Sequence, residues 1–451
     1  MVNGRTLSSK TVIRLIAGAL FLILSGTVHA GDLLFGDPVT YAVGHRPLSV
    51  FSIDLDGDGD NDLATANPDV DNLSILLNNG DGTFQTAIDY GTGDGTRSVF
   101  SIDVDGDADN DLAVANGLSD DVSILLNNGD GTFQSAVSYA AGDAPHSVYL
   151  VDLNGDGYND MATANWISDN VSILLNNGDG TFQAAVNYAA ADAPSSVFSV
   201  DLDGDGDNDL ATANWGSDNV SILLNNGDGS FLGAVNYAAG EAPCSVFSVD
   251  LDGDGDNDLA TANWCSDNVS ILLNNADGTF QSAVNYATGD WSRSVFLSDL
   301  DGDGDNDLAT ANYSSDKVSI LLNNGNGTFQ SAVTYTAGGE PSSVFSIDLD
   351  GDGDNDLATA NYLSNNVSIL RNITITPPCC ETPGDADHNM SIDISDLTYY
   401  VDFMFAGGPG PVCMEEFDND GNCTLDISDL TYFVEYLFGG GPFPVACHVC
   451  P

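Results

Sequence analysis

The amino-acid sequence predicts an all-β fold: a seven-bladed β-propeller of four-stranded blades, its N-terminal strand closing the last blade, followed by a small α-helical C-terminal domain. Three observations predict it. First, a nine-residue loop of the form Asp-x-Asp-Gly-Asp-Gly-x-Asn-Asp, with few departures, begins at Asp54, Asp103, Asp152, Asp201, Asp250, Asp299 and Asp348, a spacing of 49 residues. Second, each unit carries four short strand patterns, and a period of about 40–50 residues with four strands fits a propeller blade better than a solenoid coil. Third, a lone fourth strand precedes the first unit, and the seventh unit stops after its third strand. An open stack has no use for that offset, whereas a ring uses the extra strand to complete its last blade and pair the exposed edge.

The first element, residues 1–30, reads as a secretory signal. Arg5, Lys10 and Arg14 precede an apolar run from Leu15 to Val28, and Val28-His29-Ala30 forms the cleavage site. A membrane anchor is the competing reading, but the run is shorter than the roughly 20 residues a spanning helix needs. The chain is therefore expected to be secreted, with no membrane insertion once the signal is removed. All 68 acidic residues follow residue 30, whereas three of the eight basic ones precede it, so the formal charge beyond the signal is 5 minus 68, or −63. Nucleic acid would repel such a chain, and so would an anionic membrane.

Next comes Phe35 to Val50, which aligns with the fourth strand and following loop of the later units, Phe35 with Phe133 and Tyr41 with Tyr139. The fourth unit shows the repeat itself. Ser196 to Leu202 enters the acidic loop, Leu210 to Asn214 leaves it, Val220 to Asn225 follows a Trp-Gly-Ser-Asp-Asn turn, and Ser230 to Tyr237 follows Asn-Gly-Asp-Gly. Asn/Asp-Gly turns between β-rich runs are hairpin signals, which makes the unit an antiparallel meander. Val220, Ile222 and Leu224 alternate with Ser221, Leu223 and Asn225, so both faces carry apolar residues, as stacked sheets require.

The acidic loops have the chemistry of calcium sites. A hard cation takes six to eight oxygens, and a tight turn supplies them from alternate carboxylates and a backbone carbonyl. In the first copy Asp54, Asp56, Asp58 and Asp62 would ligate by side chain and Asp60 by its carbonyl. The equivalent residues are Asp103, Asp105, Asp107, Asp109 and Asp111 in the second copy and Asp152, Asn154, Asp156, Tyr158 and Asp160 in the third. They are Asp201, Asp203, Asp205, Asp207 and Asp209 in the fourth, and Asp250, Asp252, Asp254, Asp256 and Asp258 in the fifth. The sixth has Asp299, Asp301, Asp303, Asp305 and Asp307, and the seventh Asp348, Asp350, Asp352, Asp354 and Asp356. The third copy fits this assignment, because an Asn154 amide oxygen still ligates and Tyr158 falls where the backbone does the work.

Loop, Asn-Asn-Gly-Asp-Gly-Thr-Phe turn and period together resemble the FG-GAP or VCBS repeat family, whose best-known member is the propeller of integrin α subunits. The resemblance covers about Leu34 to Asn372. It implies that the calcium loops join the first and second strands at the lower rim and that ligands meet the opposite face. Ala108 replaces the sixth-position glycine in the second copy, which implies the weakest of the seven sites. The same strand order puts Cys244 and Cys265 together on the upper face, where a disulfide is expected over two free thiols. It also lines that face with Trp166, Trp215, Trp264, Tyr313 and Tyr362, each following Thr-Ala-Asn. Such rings either stack on sugars or wedge between blades as packing, and their recurrence in five consecutive units favours packing.

After a Pro/Cys linker over residues 373–383, a second duplication has a spacing of 33. Asp385, Asp387, Asn389, Ser391, Asp393 and Asp396 in one copy, and Asp418, Asp420, Asn422, Thr424, Asp426 and Asp429 in the other, follow EF-hand spacing. Each loop leads into an amphipathic helix, marked by Leu397, Tyr400, Val401, Met404 and Phe405 and by Leu430, Phe433, Val434, Leu437 and Phe438. The pair, residues 384–451, resembles a type I dockerin, which implies a cohesin-like scaffold as partner and contacts near Ile394, Ser395, Ile427 and Ser428. A calcium-stabilised cap or dimerisation module is the other reading, and Met390 and Cys423 at position six put the calcium affinity in doubt. Cys379, Cys380, Cys413, Cys423, Cys447 and Cys450 surround it. Disulfides are favoured over a zinc site at Cys447, His448 and Cys450, with the pairing left open.

The function expected is a secreted calcium-binding scaffold that presents a propeller face to an extracellular protein or glycan. The alternative is a component of extracellular polysaccharide degradation, carbohydrate-binding or glycoside-active. An enzyme is not expected. Every dense carboxylate pair lies in a metal loop, His45, His146, His388 and His448 are the sole histidines after the signal, and no Ser/His/Asp or Cys/His constellation stands out.

Overall fold

The structure, a computed structural model, describes residues 33–373, 397–398, 401 and 427–439. Leu33–Thr374 forms one compact unit. Within it stand seven antiparallel sheets of four strands, six of them running in chain order from an inner strand to an outer one. Blade 4 is typical, with strands Pro194–Val200, Asp209–Asn214, Asn219–Leu223 and Val235–Ala238. The second strand, Asp-Leu-Ala-Thr-Ala-Asn, is buried at all six positions. Its small alanines and threonine let the flanking sheets close on both of its faces.

Seven apolar cores lie between neighbouring blades rather than inside any one. Between blades 1 and 2, Leu55, Ala64, Leu73 and Ile75 meet Val99, Leu112, Leu125 and Phe133. Each seam holds nine or ten buried apolar residues. At about 1.5–3 kcal/mol per fully buried large side chain, no blade is self-sufficient and the ring stands as a whole. Tyr237 of the fourth strand meets Phe280 of the next blade edge to face, with ring centroids 5.4 Å apart.

Ring closure follows the offset of the ends. Val39–Ala42 pairs antiparallel with Asn366–Leu370, Val39 opposite Ile369 and Tyr41 opposite Val367. It is thereby the fourth strand of the seventh blade, whose other strands come from the far end of the array. Phe35 bridges to Asn372 and meets Tyr335 edge to face at 5.2 Å, as Phe133 meets Tyr90. Around the axis the inner strands present Phe51, Phe100, Tyr149, Phe198, Phe247, Phe296 and Phe345. Successive centroids lie 4.5–4.9 Å apart, the last returning to the first. This aromatic belt lines the central channel.

In the second unit, Ile427–Val434 is an α-helix and Glu435–Gly439 continues it as a π-helical turn. Phe433 is buried, as its place on the apolar stripe predicts, but Val434 and Phe438 are exposed. The wider i→i+5 turn carries Phe438, which lies within it, off the 3.6-residue stripe. Residues 397, 398 and 401 are helical as well. The signal, the first tail loop (Asp385 to Asp396), the second as far as Asp426, and the six tail cysteines lie outside the described residues. Among the described residues no helix is long and apolar enough to cross a membrane.

Candidate metal loops and channel mouth

Each acidic loop is folded by its own carboxylates. Asp54 accepts the Gly57 amide at 2.7 Å and the Gly59 amide at 3.0 Å, Asp56 accepts that of Asp58, and Asp58 that of Asp60. These short-range bonds bring the first three side chains together. Carboxylate oxygens lie within 4.8 Å of one another in Asp54/Asp56/Asp58, Asp103/Asp105/Asp107, Asp250/Asp252/Asp254 and Asp299/Asp301/Asp303, and in Asp201/Asp203/Asp209. Burial, and then repulsion from the next aspartate, pushes the carboxyls of Asp56, Asp105, Asp203, Asp252 and Asp301 upward. In the seventh loop Asp350 Oδ1 is buried with no hydrogen-bond partner. Crowded carboxylates and an unpartnered buried oxygen are the donor set that suits a hard divalent cation.

The remaining positions of each set behave differently. Asp62 at position nine is buried, and each of its oxygens accepts a backbone amide, from Leu55 at 2.9 Å and Asn78 at 2.7 Å. Asp209 does the same with Leu202 and Asn225. Position nine is thus a clasp that ties the start of the loop to the end of the third strand, whether or not it also touches an ion. Burial raises these carboxyls despite the two bonds that lower them, to about 7 for Asp62, Asp307 and Asp356 and about 6 for Asp111, Asp160, Asp209 and Asp258. At position seven the side chain covers the turn glycine of its own blade. A Cβ on Gly80 would lie 2.5 Å from Asp60 Oδ2, and one on Gly178 would lie 2.7 Å from Tyr158 Cζ. A tyrosine is accommodated there because that side chain serves the turn. In the second copy Ala108 holds the left-handed conformation, φ 77°, where Gly59 has 94°.

Two asparagines per blade carry a role the sequence did not disclose. Asn208, at position eight, donates to the Asp152 carbonyl of the preceding blade at 3.0 Å. Asn225, at the end of the third strand, donates to the Leu153 carbonyl of that blade at 2.8 Å and to its own Asn208 carbonyl at 2.9 Å. The same pair of bonds recurs at every seam, including the closing one, where Asn61 reaches Asp348 and Asn78 reaches Leu349. The first two carbonyls of each loop are therefore held by the next blade. The signal in the sequence was the invariance of both asparagines among the seven units, which reads equally well as turn chemistry.

The seventh loop has one further neighbour. Arg371 Nη1 lies 3.3 Å from Asp350, and Nη2 donates to the Asp81 carbonyl. The six equivalent positions, such as Leu77 and Leu224, are leucines. A guanidinium on a candidate ligand competes with any ion there.

On the opposite face the inner strands begin with a β-bulge. The register shifts between Thr96 and Ser98, Pro145 and Ser147, Pro194 and Ser196, Pro243 and Ser245, Ser292 and Ser294, and Pro341 and Ser343. The unpaired residues are Arg97, His146, Ser195, Cys244, Arg293 and Ser342, and all of them line a cavity of about 690 Å³ at the channel mouth. A bulge re-aims the side chain that the ladder would otherwise have placed on a sheet face. Serines one residue further in, such as Ser196, line the same cavity, and their hydroxyls accept the amide of the neighbouring inner strand, as Ser196 does from Val246.

This geometry corrects the disulfide expectation. Cys244 and Cys265 are both free. Cys244 is the bulge residue and turns inward, its thiol donating toward the Arg293 carbonyl at 3.1 Å and pushed up to about 12 by burial. Cys265 sits exposed on the turn between second and third strands. Sharing a face did not give the two a shared direction.

The five upper aromatics contact one another across blades in two groups, Trp166 with Trp215 at 5.2 Å, and Trp264 with Tyr313 at 5.1 Å and Tyr313 with Tyr362 at 5.8 Å. They are packed on each other yet open above, Trp215 being 39 % exposed. His146 stacks on Trp166, and Trp291, absent from the sequence-based set, stacks on Trp264.

Seven acidic loops on one rim, each held by the next blade of a closed ring, define a repeat propeller with candidate cation sites. The FG-GAP-like repeat model matches residues 54–114, 103–163, 152–212, 201–261, 250–310 and 299–359, and the chain belongs to this family. No curated protein matches in sequence. Among solved structures, the BBS1 N-terminal domain in complex with ARL6 is similar at TM-score 0.55 and 14 % identity over 76 % of this chain and 97 % of its own. Virginiamycin B lyase from Staphylococcus aureus is similar at 0.52 and 12 % over 75 % and 98 %. A lectin from Agrocybe aegerita, described for recognition of non-reducing terminal N-acetylglucosamine, gives 0.48 and 23 % over 77 % and 91 %. For the BBS1 domain and virginiamycin B lyase the likeness is one of fold, and the fold alone does not choose a function.

Proposed function

We propose that this chain is a secreted, calcium-clamped binding scaffold, non-enzymatic, whose upper face receives an extracellular protein or glycan. The observation that carries the reading is the division of labour between the two rims. Lower-rim carboxylates are committed to the loops and their seams, whereas the upper rim has an open cavity flanked by aromatic rings. Asp54, Asp56 and Asp58 and their counterparts would hold calcium, with Asn154 replacing Asp in the third loop. Bound calcium supplies charge neutralisation in loops that otherwise repel themselves. Loop order then passes to the seams through the two carbonyls that each next blade grips, and ion binding becomes folding free energy. The helical tail, read as a dockerin-like module with its own calcium loops, would tether the scaffold to a cohesin-like partner. The alternative role, a carbohydrate-binding component of polysaccharide degradation, shares the same face.

The experiment is capture by the full chain from extracellular proteins and a glycan array, with calcium and with chelator, beside variants of the tail loops at Asp385 and Asp418. Calcium-dependent capture of a ligand that survives the tail variants supports the upper face. Turnover of a soluble sugar in place of capture would replace the scaffold with an enzyme.

A further inference from the structure

Only five basic residues follow the signal in this chain of 68 acidic ones, and two of them, Arg97 and Arg293, reach the channel mouth. No aspartate or glutamate lines that cavity. Among the described residues neither guanidinium has an ion pair, and Arg97 Nε is buried without a partner. Both arginines also border one smaller recess with Leu48, Tyr313 and Tyr362, whose single carboxylate, Asp69, is already paired with Arg46 at 3.2 Å. The two guanidiniums repel each other, with Glu340 a carboxylate whose charge reaches Arg293, and the repeat does not call for arginine here, since equivalent positions hold Leu48, Ser195 and Ser342.

The site is built on the repeat yet departs from it. Blade 2 has Gly117 where blades 3 to 5 have tryptophan, and the stem of Arg97 fills that space. A Cβ on Gly117 would come within 3.1 Å of Arg97 Cγ and Nε. Arg293 lies over both Trp264 and Tyr313 at 5.4 Å, which fixes the plane of its guanidinium. His146 is held neutral, pushed down to about 3 by burial and then by the two arginines, so it adds hydrogen-bonding capacity rather than charge. Serine hydroxyls and the rings of Trp166 and Trp215 complete the wall.

We propose that the channel mouth binds an acidic sugar, its oxyanion seated between Arg97 and Arg293 and its ring against Trp166 and Trp215. A planar carboxylate or sulfate matches the guanidinium fork. Aromatic faces take the apolar side of the sugar ring, and the serines and His146 take its hydroxyls. This deepens the reading of the upper face as the binding face and rests on it.

The test titrates the calcium-loaded full chain, following tryptophan fluorescence and calorimetric heat, with digalacturonate, its neutral methyl ester, a sulfated disaccharide, inorganic sulfate and a glutamate-rich peptide. Binding of digalacturonate or the sulfated disaccharide, weakened about tenfold or more in the ester and in Arg97→Gln and Arg293→Gln, is the expected result. The stronger of the two sugars identifies the oxyanion. Equal binding of inorganic sulfate overturns the sugar, equal binding of the peptide replaces it with an acidic protein segment, and unaltered binding by the two variants overturns the site. Thermal melts of the unliganded variants keep the outcome independent of folding: each should still melt cooperatively as a folded ring, relief of the like-charge pair offsetting the packing that the shorter side chain loses. Failure of every probe overturns the inference, and glycan or protein capture that persists in the double variant then leaves the upper-face reading standing without it.

Discussion

Asn225 and Asn226 are adjacent, chemically identical and present as a pair in six of the seven units, the seventh having Asn372-Ile373, yet the structure assigns them unequal weight. Asn225 is 5 % exposed, donates to the carbonyls of Leu153 and Asn208, and accepts the Gly227 amide at 3.1 Å. Asn226 is exposed and bonds only within its own turn, to Ser230. Replacing Asn225 by the similarly sized leucine leaves two carbonyls and one amide without this partner. At about 1–3 kcal/mol for each buried group, partly offset by the apolar side chain, the loss should be about 3–5 kcal/mol. Asn226→Leu removes bonds that water can replace and should cost less than about 1 kcal/mol. Urea unfolding of the two variants in saturating calcium, followed by circular dichroism with equal slopes, measures the difference. Because Leu153 belongs to the third acidic loop, Asn225→Leu should also weaken one calcium site by calorimetry. Equal midpoints for the two variants would refute the seam as the place where the loops are held.

Removal of divalent ions should lower the melting temperature of the ring; an unchanged melt would dismiss calcium as a structural element. In the ion-free protein the buried position-nine aspartates titrate near 6–7, above the unfolded carboxyl. Their stabilisation is complete below the unfolded value and is lost as pH rises through 6–7, so the ion-free ring should melt higher at about pH 5 than at about pH 8. The opposite order would show that those carboxylates are charged in the folded ring. Ala108→Gly removes left-handed strain of about 1–2 kcal/mol and returns part of it as unfolded-chain entropy, for a net gain of about 0.5–1 kcal/mol in chemical denaturation. Arg371→Leu restores the residue of the other six blades, and calcium titration should then show a tighter seventh site; an unchanged isotherm would mean that the guanidinium does not compete.

The blade count, the closing strand and the acidic loops were legible in the sequence because each is written locally and then repeated. A hairpin turn, an alternating strand and an Asx-stabilised loop depend on residues a few positions apart, and the phase difference between the two ends sufficed to imply a ring. What lay beyond reach depends on which side of a strand a residue faces and on contacts across a seam. Asn225 meets Leu153 across 72 residues. Cys244 and Cys265 share a face and remain unbridged because a bulge turns one of them into the channel. Trp291 stacks on Trp264 from a different loop.

By itself, then, the chain determined that seven like sheets form and how they close, since periodic burial and turn chemistry act within each unit. Only the tertiary structure decided that the loops are gripped by their neighbours and that Arg97 and Arg293 converge on one cavity. A bulge adds one residue to a strand, which reverses the direction of a side chain without changing the period, and convergence at an axis exists only after the ring has closed.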